Sequence, residues 1–281
     1  MAGLLANKLI LVILIVVVVV GAGAVVFLTV LSGGKGEPAA PVAKSKAEVD
    51  TPEDEINCFS VGLREACMEG WFNYTTSSVF PGITVSAEDT VLDLGCGDGG
   101  IVSFCAHAGA NIIIADIDSD KVEATRARLA TSNARSVKTL ITDAAPLQLA
   151  DNTATRVICT EVLEHVDDPT AVVKELLRIG TPGARYLISV PDATSENSQK
   201  AVADPGYFKK PNHIRIFARD EFRKLLEDNG LVVESHSMSS FYWALWWNFF
   251  WLCDLKDFRD TPHPLLLSWA RTWDMLMNMP K

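Results

Sequence analysis

Hydrophobic and polar positions divide the chain into distinct regimes. Leu9 to Leu31 is an unbroken uncharged run. As a helix it would be about 35 Å long, against a hydrocarbon core of about 30 Å, so it predicts one transmembrane anchor over 9–31 behind a short flank at 1–8. Ala22-Gly23-Ala24 would also suit a signal-peptidase site, but cleavage there would leave Val25 to Leu31 still apolar. Residues 32–50, rich in Gly, Ala, Pro and Lys, read as a flexible linker. Thr51-Pro52-Glu53-Asp54 then reads as a helix start, with a capping hydroxyl, proline at the first helical position and acids at the positive dipole end. Ile56, Phe59, Leu63, Ala66 and Cys67 would share one face of that helix.

From Val91 onward the pattern alternates. A strand at 91–94 is followed by a helix over 99–108 that stops at Gly109, a strand at 111–116, and a helix over 120–131 capped by Ser119. Strands at 136–142 and 155–160 precede a helix over 169–179 opened by Pro169 and closed by Gly180, and a strand at 184–190 follows. A polar loop over 192–212, a helix over 219–229 ended by Gly230 and a strand at 231–237 complete the pattern. Alternation of this kind predicts an α/β fold: a doubly wound, mostly parallel sheet with helices on both faces and a ligand at the C-terminal strand ends. The domain is expected over 51–240, with a helical extension over 241–281.

That extension opens with FYWALWWNFFWLCDL over 241–255, too short to span a bilayer. Its tryptophans suit a membrane interface, a lipid-sized pocket or core packing, and the sequence leaves these open. An amphipathic helix over 264–278 follows.

Composition narrows the partners. The net charge is −10, and no stripe of Lys and Arg is visible, which argues against nucleic acid. The six cysteines form no CxxC pair, which suits free thiols in a reducing compartment. Lys35, Lys44 and Lys46 outweigh Lys8 and the amino terminus, placing the domain on the cytoplasmic side of a single-pass anchor.

Candidate chemistry centres on VLDLGCGDGG at 91–100, where Gly95, Gly97 and Gly100 also satisfy the dinucleotide spacing GxGxxG. Asp116 lies about twenty residues beyond, where a carboxylate accepts hydrogen bonds from ribose hydroxyls. Asp93 would repel a pyrophosphate but suit an ammonium. S-adenosylmethionine (SAM) carries an ammonium, a ribose and no phosphate.

With ADID at 115–118, ITDAAPLQLAD at 141–151, EVLEHVDDP at 161–169 and HIRIFARDEF at 213–222, residues 88–238 resemble a class I SAM-dependent methyltransferase of the type 11 group. The resemblance implies a Rossmann-like sheet and a SAM site at Asp93, Gly95, Cys96, Gly97, Asp98, Asp116, Ile117, Asp143, Ala144 and Glu161. The family's sheet usually closes with a seventh, antiparallel strand, and no convincing strand follows residue 237 here.

Glu161-Val162-Leu163-Glu164-His165 has the ExxEH spacing of the divalent-metal site in ubiquinone-pathway O-methyltransferases and small-RNA 2′-O-methyltransferases. Glu161, Glu164, His165 and His213 are the candidate metal ligands. Many type 11 enzymes have a similar LEHV segment without metal. There His165 is the candidate general base, with Glu161 beside it as the second catalytic candidate, because neutral imidazole accepts a proton near neutral pH. The expected activity is O-methylation of an apolar or lipid-linked acceptor. The alternatives are C-methylation of a quinone-like ring and a non-catalytic, tethered module that only binds SAM or another nucleotide.

Overall fold

The computed structural model describes residues 56–257 and 263–279, together with the backbone of Ile13–Val19. β1 (Ile13–Val19) is followed by α1 (Cys58–Met68), a small hairpin of β2 (Ser78–Phe80) and β3 (Ile83–Thr84), and β4 (Thr90–Leu94). Next come α2 (Gly100–His107), β5 (Asn111–Asp116), α3 (Ser119–Leu129), β6 (Ser136–Ile141), β7 (Ala154–Thr160), α4 (Pro169–Ile179) and β8 (Gly180–Ser189). The chain continues through α5 (Ala193–Gln199), α6 (Arg219–Asp228), β9 (Val232–Ser239), α7 (Phe241–Leu252) and α8 (Pro264–Met277).

The main sheet has the order β6-β5-β4-β7-β8-β1-β9, and every described pairing within it is parallel. Side chains alternate between its two faces with the period of two that a strand imposes. Leu92, Ile113 and Ala115 join the core that holds Val173 and Leu176 of α4 and Phe222 and Leu226 of α6. Val91, Ile112 and Ile114 join the core that holds Val102 and Phe104 of α2 and Val122 and Leu129 of α3. Both faces are covered, which is why these strands read as nearly continuous apolar runs. β4 pairs with β5 on one side and β7 on the other, so the chain reverses its direction of travel across the sheet beside β4. In a sheet of this type ligands sit at the carboxyl ends of the strands at that point.

Several expectations shift. The cap of α3 is Asp118, whose carboxylate accepts from the N–H groups of Asp120 and Lys121, so the helix begins at Ser119. α1 starts at Cys58 behind Asn57, and the proposed start at 51–55 lies outside the described residues. Its buried face is Cys58, Val61, Gly62 and Glu65 rather than the expected apolar stripe, because α7 packs there. A Cβ on Gly62 would lie 2.3 Å from the Trp243 indole nitrogen, so the glycine is what admits the ring. The polar loop over 192–212 contains α5.

Ile13–Val19 is strand where a helix was expected. Six of its seven residues, read as ILIVVVV, are β-branched, a composition that favours strand. Its backbone fills the slot between β8 and β9, so the seventh strand comes from the N-terminal side of the chain and is parallel. The rest of the anchor and the linker lie outside the described residues. No described helix is long and apolar enough to cross a membrane.

The aromatic extension is mostly core. Tyr242, Trp243, Trp246, Trp247 and Phe250 of α7 are buried in a third cluster with Cys58 and Val61 of α1 and Leu266 and Ala270 of α8. Trp246 stacks on Phe250 with centroids 5.4 Å apart. Of the three readings left open for 241–255, core packing accounts for these five side chains, since α1 and α8 pack against them. Phe241 and Leu252 are the large apolar side chains of α7 left exposed.

Candidate active site

The turn after β4 is built on glycines. Gly95, Gly97 and Gly99 have φ of +76°, +49° and +75°, a region that costs other residues steric strain. The Gly95 and Cys96 N–H groups donate to the Ala115 carbonyl at 2.7 and 3.2 Å, which ties the turn to the end of β5. The Asp116 carboxylate continues the tie, accepting from the Gly97 N–H and the Asp118 N–H, each at 3.0 Å. Asp116, the candidate ribose acid, thus shapes the glycine loop.

Asp93 is 2% exposed, and its Oδ1 has no hydrogen-bond partner. Burial, reinforced by the neighbouring Asp116 charge, pushes its carboxyl up to about 7. An unsatisfied buried carboxylate at a strand end is a cost that a cationic ligand group would remove. Ile117, just past β5, is 73% exposed despite its apolar side chain. Asp143 is exposed beyond the end of β6, while Ala144 is buried with φ +83°. Asp98 is half-buried, and its carbonyl accepts from Arg128. These residues line up along the ends of β4, β5 and β6, where the sequence placed a nucleoside.

The second half of the site lies directly against the first. A Cβ on Gly95 would fall 2.2 Å from Val162 Cγ2, so the loop bearing Glu161, Glu164 and His165 rests on the glycine turn. Glu161 takes φ +56°, a conformation rare outside glycine. Its N–H donates to the Ser189 carbonyl at 3.1 Å, and its Oε1 accepts from Ser189 Oγ at 2.9 Å. The Ile214 N–H donates to the Glu164 carbonyl at 3.0 Å, which brings His213 beside Glu164.

Ligand atoms of Glu164, His165 and His213 all lie within 4.8 Å of one another. The two imidazoles meet edge to face with centroids 4.8 Å apart. Neither Glu164 carboxylate oxygen has a hydrogen-bond partner, and the residue is fully buried. Burial, with the Glu196 charge nearby, pushes Glu164 up to about 8. Burial and then the Glu164 charge raise Glu161 well above the usual carboxylate range. Burial holds His165 below the ordinary imidazole value, with His213 adding to the effect. An orphaned buried carboxylate beside two imidazoles is a donor set that fits a divalent ion such as manganese or magnesium.

Glu161, one of the four candidate ligands, is held by Ser189 and stands outside this trio, whereas His213, the candidate for the fourth position, stands within it. Ser189 and Glu196 went unnoticed in the sequence. Glu196 is 1% exposed on α5, accepts from His213 Nδ1 at 2.9 Å and receives the Tyr207 hydroxyl at 3.4 Å. Nothing in the polar run 192–212 marks it out, since it looks like any acid on a solvated loop.

A parallel sheet with a glycine turn after β4, an acid at the end of β5 and an acid–histidine loop after β7 defines a SAM-dependent methyltransferase. The chain belongs to the methyltransferase-domain family, which matches residues 78–236. Among curated relatives, the ubiquinone biosynthesis O-methyltransferase of Xanthomonas oryzae pv. oryzae (strain PXO99A) is 28% identical over 160 residues, covering 51% of this chain and 66% of the relative. A protein of Mycolicibacterium smegmatis named as a probable S-adenosylmethionine-dependent methyltransferase is 30% identical over 146 residues, covering 51% of this chain and 52% of the relative. The chain thus spans less than two thirds of the length of either. A solved SAM-dependent methyltransferase from Aquifex aeolicus is similar at 17% identity and a TM-score of 0.42, covering 62% of this chain and 88% of that one.

Proposed function

We propose that the enzyme transfers the SAM methyl group to an oxygen of an apolar or lipid-linked acceptor. The observation that carries this reading is the contact of Val162 with Gly95, which sets the His165 loop on the glycine turn beneath it. SAM would place its ammonium at Asp93, its ribose at Asp116 and its adenine near Ile117, Asp143 and Ala144. The sulfonium already activates the methyl group, so the protein's task is in-line positioning, exclusion of water and removal of the acceptor proton.

His165 is suited to that last step. Its Nδ1 lies 3.3 Å from the Pro211 carbonyl, so the ring donates there and keeps its Nε2 lone pair. Burial favours the neutral ring. Glu164, His165 and His213 would hold a divalent ion if one is used. Such an ion would supply Lewis acidity that lowers the acceptor hydroxyl's pKa.

The apolar acceptor is supported by a cavity of about 460 Å³ beside α5 and α7. Phe241, Ala244 and Leu245 are among its apolar lining, and the charged Glu69, Asp192 and Arg219 stand on its polar side. A volume of that order suits a small-molecule ligand. The relative named as a ubiquinone biosynthesis O-methyltransferase points the same way. A location at the membrane would rest on the uncharged run over 9–31, a use that competes with the placement of Ile13–Val19 as β1 in the sheet.

The test is to incubate the protein with methyl-labelled SAM and separate lipid and soluble extracts. Label in the lipid fraction is expected, and label confined to the soluble fraction removes the lipid reading. Carbonate extraction of membranes addresses the tether: an integral span resists it, whereas residues 13–19 held in the sheet release the protein.

A further inference from the structure

The acid–histidine group contains one member that neither the ExxEH spacing nor the candidate ligand set includes. Glu196 is nine-tenths or more buried, and its Oε2 lies 2.9 Å from His213 Nδ1. Its other oxygen faces the Tyr207 hydroxyl at 3.4 Å. The Tyr207 ring packs on His213 with centroids 4.4 Å apart, and Trp251 packs on Tyr207 at 5.1 Å. Trp251 in turn donates from Nε1 to Gln199 Oε1 at 3.0 Å, one helical turn along α5 from Glu196. Carboxylate, imidazole, phenol and indole thus form one connected group held on α5 at Glu196 and Gln199.

We infer that Glu196 is a positioning residue that fixes His213 as the Nδ1–H tautomer and leaves its Nε2 lone pair to the Glu164–His165 group. A neutral imidazole has one donor and one acceptor nitrogen, and a carboxylate only accepts. The 2.9 Å contact therefore assigns the proton to Nδ1. A carboxylate behind the distal nitrogen of a histidine is a device that orients ligating imidazoles, and its loss commonly weakens metal binding about 10- to 100-fold. The metal half of this inference rests on the divalent-ion reading above, whereas the tautomer half does not.

Two measurements separate the halves. Long-range proton–nitrogen correlation spectra of the full chain labelled with ¹⁵N-histidine report the tautomer, and with five histidines in the chain His213 is assigned by its substitution. The wild type is expected to show His213 protonated at Nδ1, with Glu196→Gln retaining that tautomer because the amide oxygen still accepts. Glu196→Ala is expected to shift the ring toward Nε2–H. Titration with Mn²⁺ alone should then show Glu196→Ala binding about 10- to 100-fold more weakly than wild type and Glu196→Gln within a few-fold of it. An unchanged tautomer in Glu196→Ala overturns the inference, and so does a Glu196→Gln loss as large as that of Glu196→Ala. A wild type that shows Nδ1–H but takes up no Mn²⁺ overturns the metal half and the divalent-ion reading together, and leaves the tautomer assignment standing.

Discussion

Glu65 on α1 accepts the backbone N–H of Tyr242, at the start of α7, with both carboxylate oxygens at 3.1 Å. At the C-terminal cap of α1, Glu69 accepts the Ser240 N–H in the same way at 3.2 and 3.0 Å. Two acids of the first helix thus cap the N-terminus of the aromatic helix, where unsatisfied N–H groups and the helix dipole favour negative charge. Burial outweighs these bonds and pushes Glu65 up from 4.5 to about 7. The folded state therefore binds more protons than the unfolded state between those values, so this group's contribution to stability falls as pH rises from about 4.5 to about 7 and then levels off. Glu65→Gln removes that titration while keeping an acceptor for Tyr242. The melting temperature of Glu65→Gln, minus that of the wild type, is expected to grow across this window in thermal unfolding monitored by circular dichroism. Parallel curves for the two proteins would refute the linkage.

Asp93 makes a second pH prediction, this time for ligand binding. Its carboxyl is raised from 3.8 to about 7 by burial and by Asp116, so the unliganded protein holds a proton there below neutrality. Binding an ammonium at Asp93 requires the ionised form, so SAM binding at pH 6 should release a proton, and affinity should rise with pH until about 7. Calorimetry at pH 6 in two buffers of different ionisation enthalpy reads the released proton directly. Asp93→Asn should weaken binding about 10- to 100-fold, in line with about 1.5–3 kcal/mol for a hydrogen bond to a charged group, and should abolish proton release. Equal apparent heats in the two buffers would place the ammonium elsewhere.

The glycine turn and the acids beside it were legible because their determinants are local. Glycines at a strand end and an acid at the next strand end lie within one strand–helix–strand unit, and the turn the glycines form depends on their own dihedrals. The alternating strands from β4 to β9 were legible for the same reason, since apolar runs bounded by Gly, Pro and Asp encode them. Glu196, Ser189 and the Glu65 cap were not, because each matters only through a partner brought near by tertiary packing. The seventh strand was missed because a β-branched run long enough to span a membrane satisfies two patterns at once. Periodicity cannot choose between them.

Gly95 and Gly97 share a left-handed backbone but differ in what surrounds them. At Gly95 a Cβ would strike Val162 at 2.2 Å, so Gly95→Ala must displace the loop that carries Glu161 and His165. At Gly97 no atom of the described residues, its chain neighbours aside, lies within 4 Å of where a Cβ would stand, leaving only the dihedral cost of about 1–2 kcal/mol. Gly97→Ala is therefore expected to fold with a small loss of stability but to bind SAM weakly, because the added methyl occupies the space through which the backbone meets the ligand. Gly95→Ala should lose both stability and binding, with Val162→Ala in the same chain recovering part of the stability. Urea unfolding and calorimetry on the three variants test this, and a Gly97→Ala protein with wild-type affinity would move the cofactor off the loop.

His165 separates binding from chemistry. Its imidazole is partly exposed, hydrogen-bonded to the Pro211 carbonyl and kept neutral by burial. Among the described residues its ring meets Pro211, Glu164 and His213, rather than Asp93, Asp116 or Ala144 at the ends of β4, β5 and β6. His165→Ala should therefore leave SAM affinity within about twofold while slowing methyl transfer about 100- to 10,000-fold, the usual range for loss of a general base. Label transfer to extract acceptors under saturating SAM gives the rate, and calorimetry gives the affinity. A variant that transfers methyl groups at the wild-type rate would remove His165 from the chemistry. One that loses SAM affinity in proportion to rate would make it a binding residue instead.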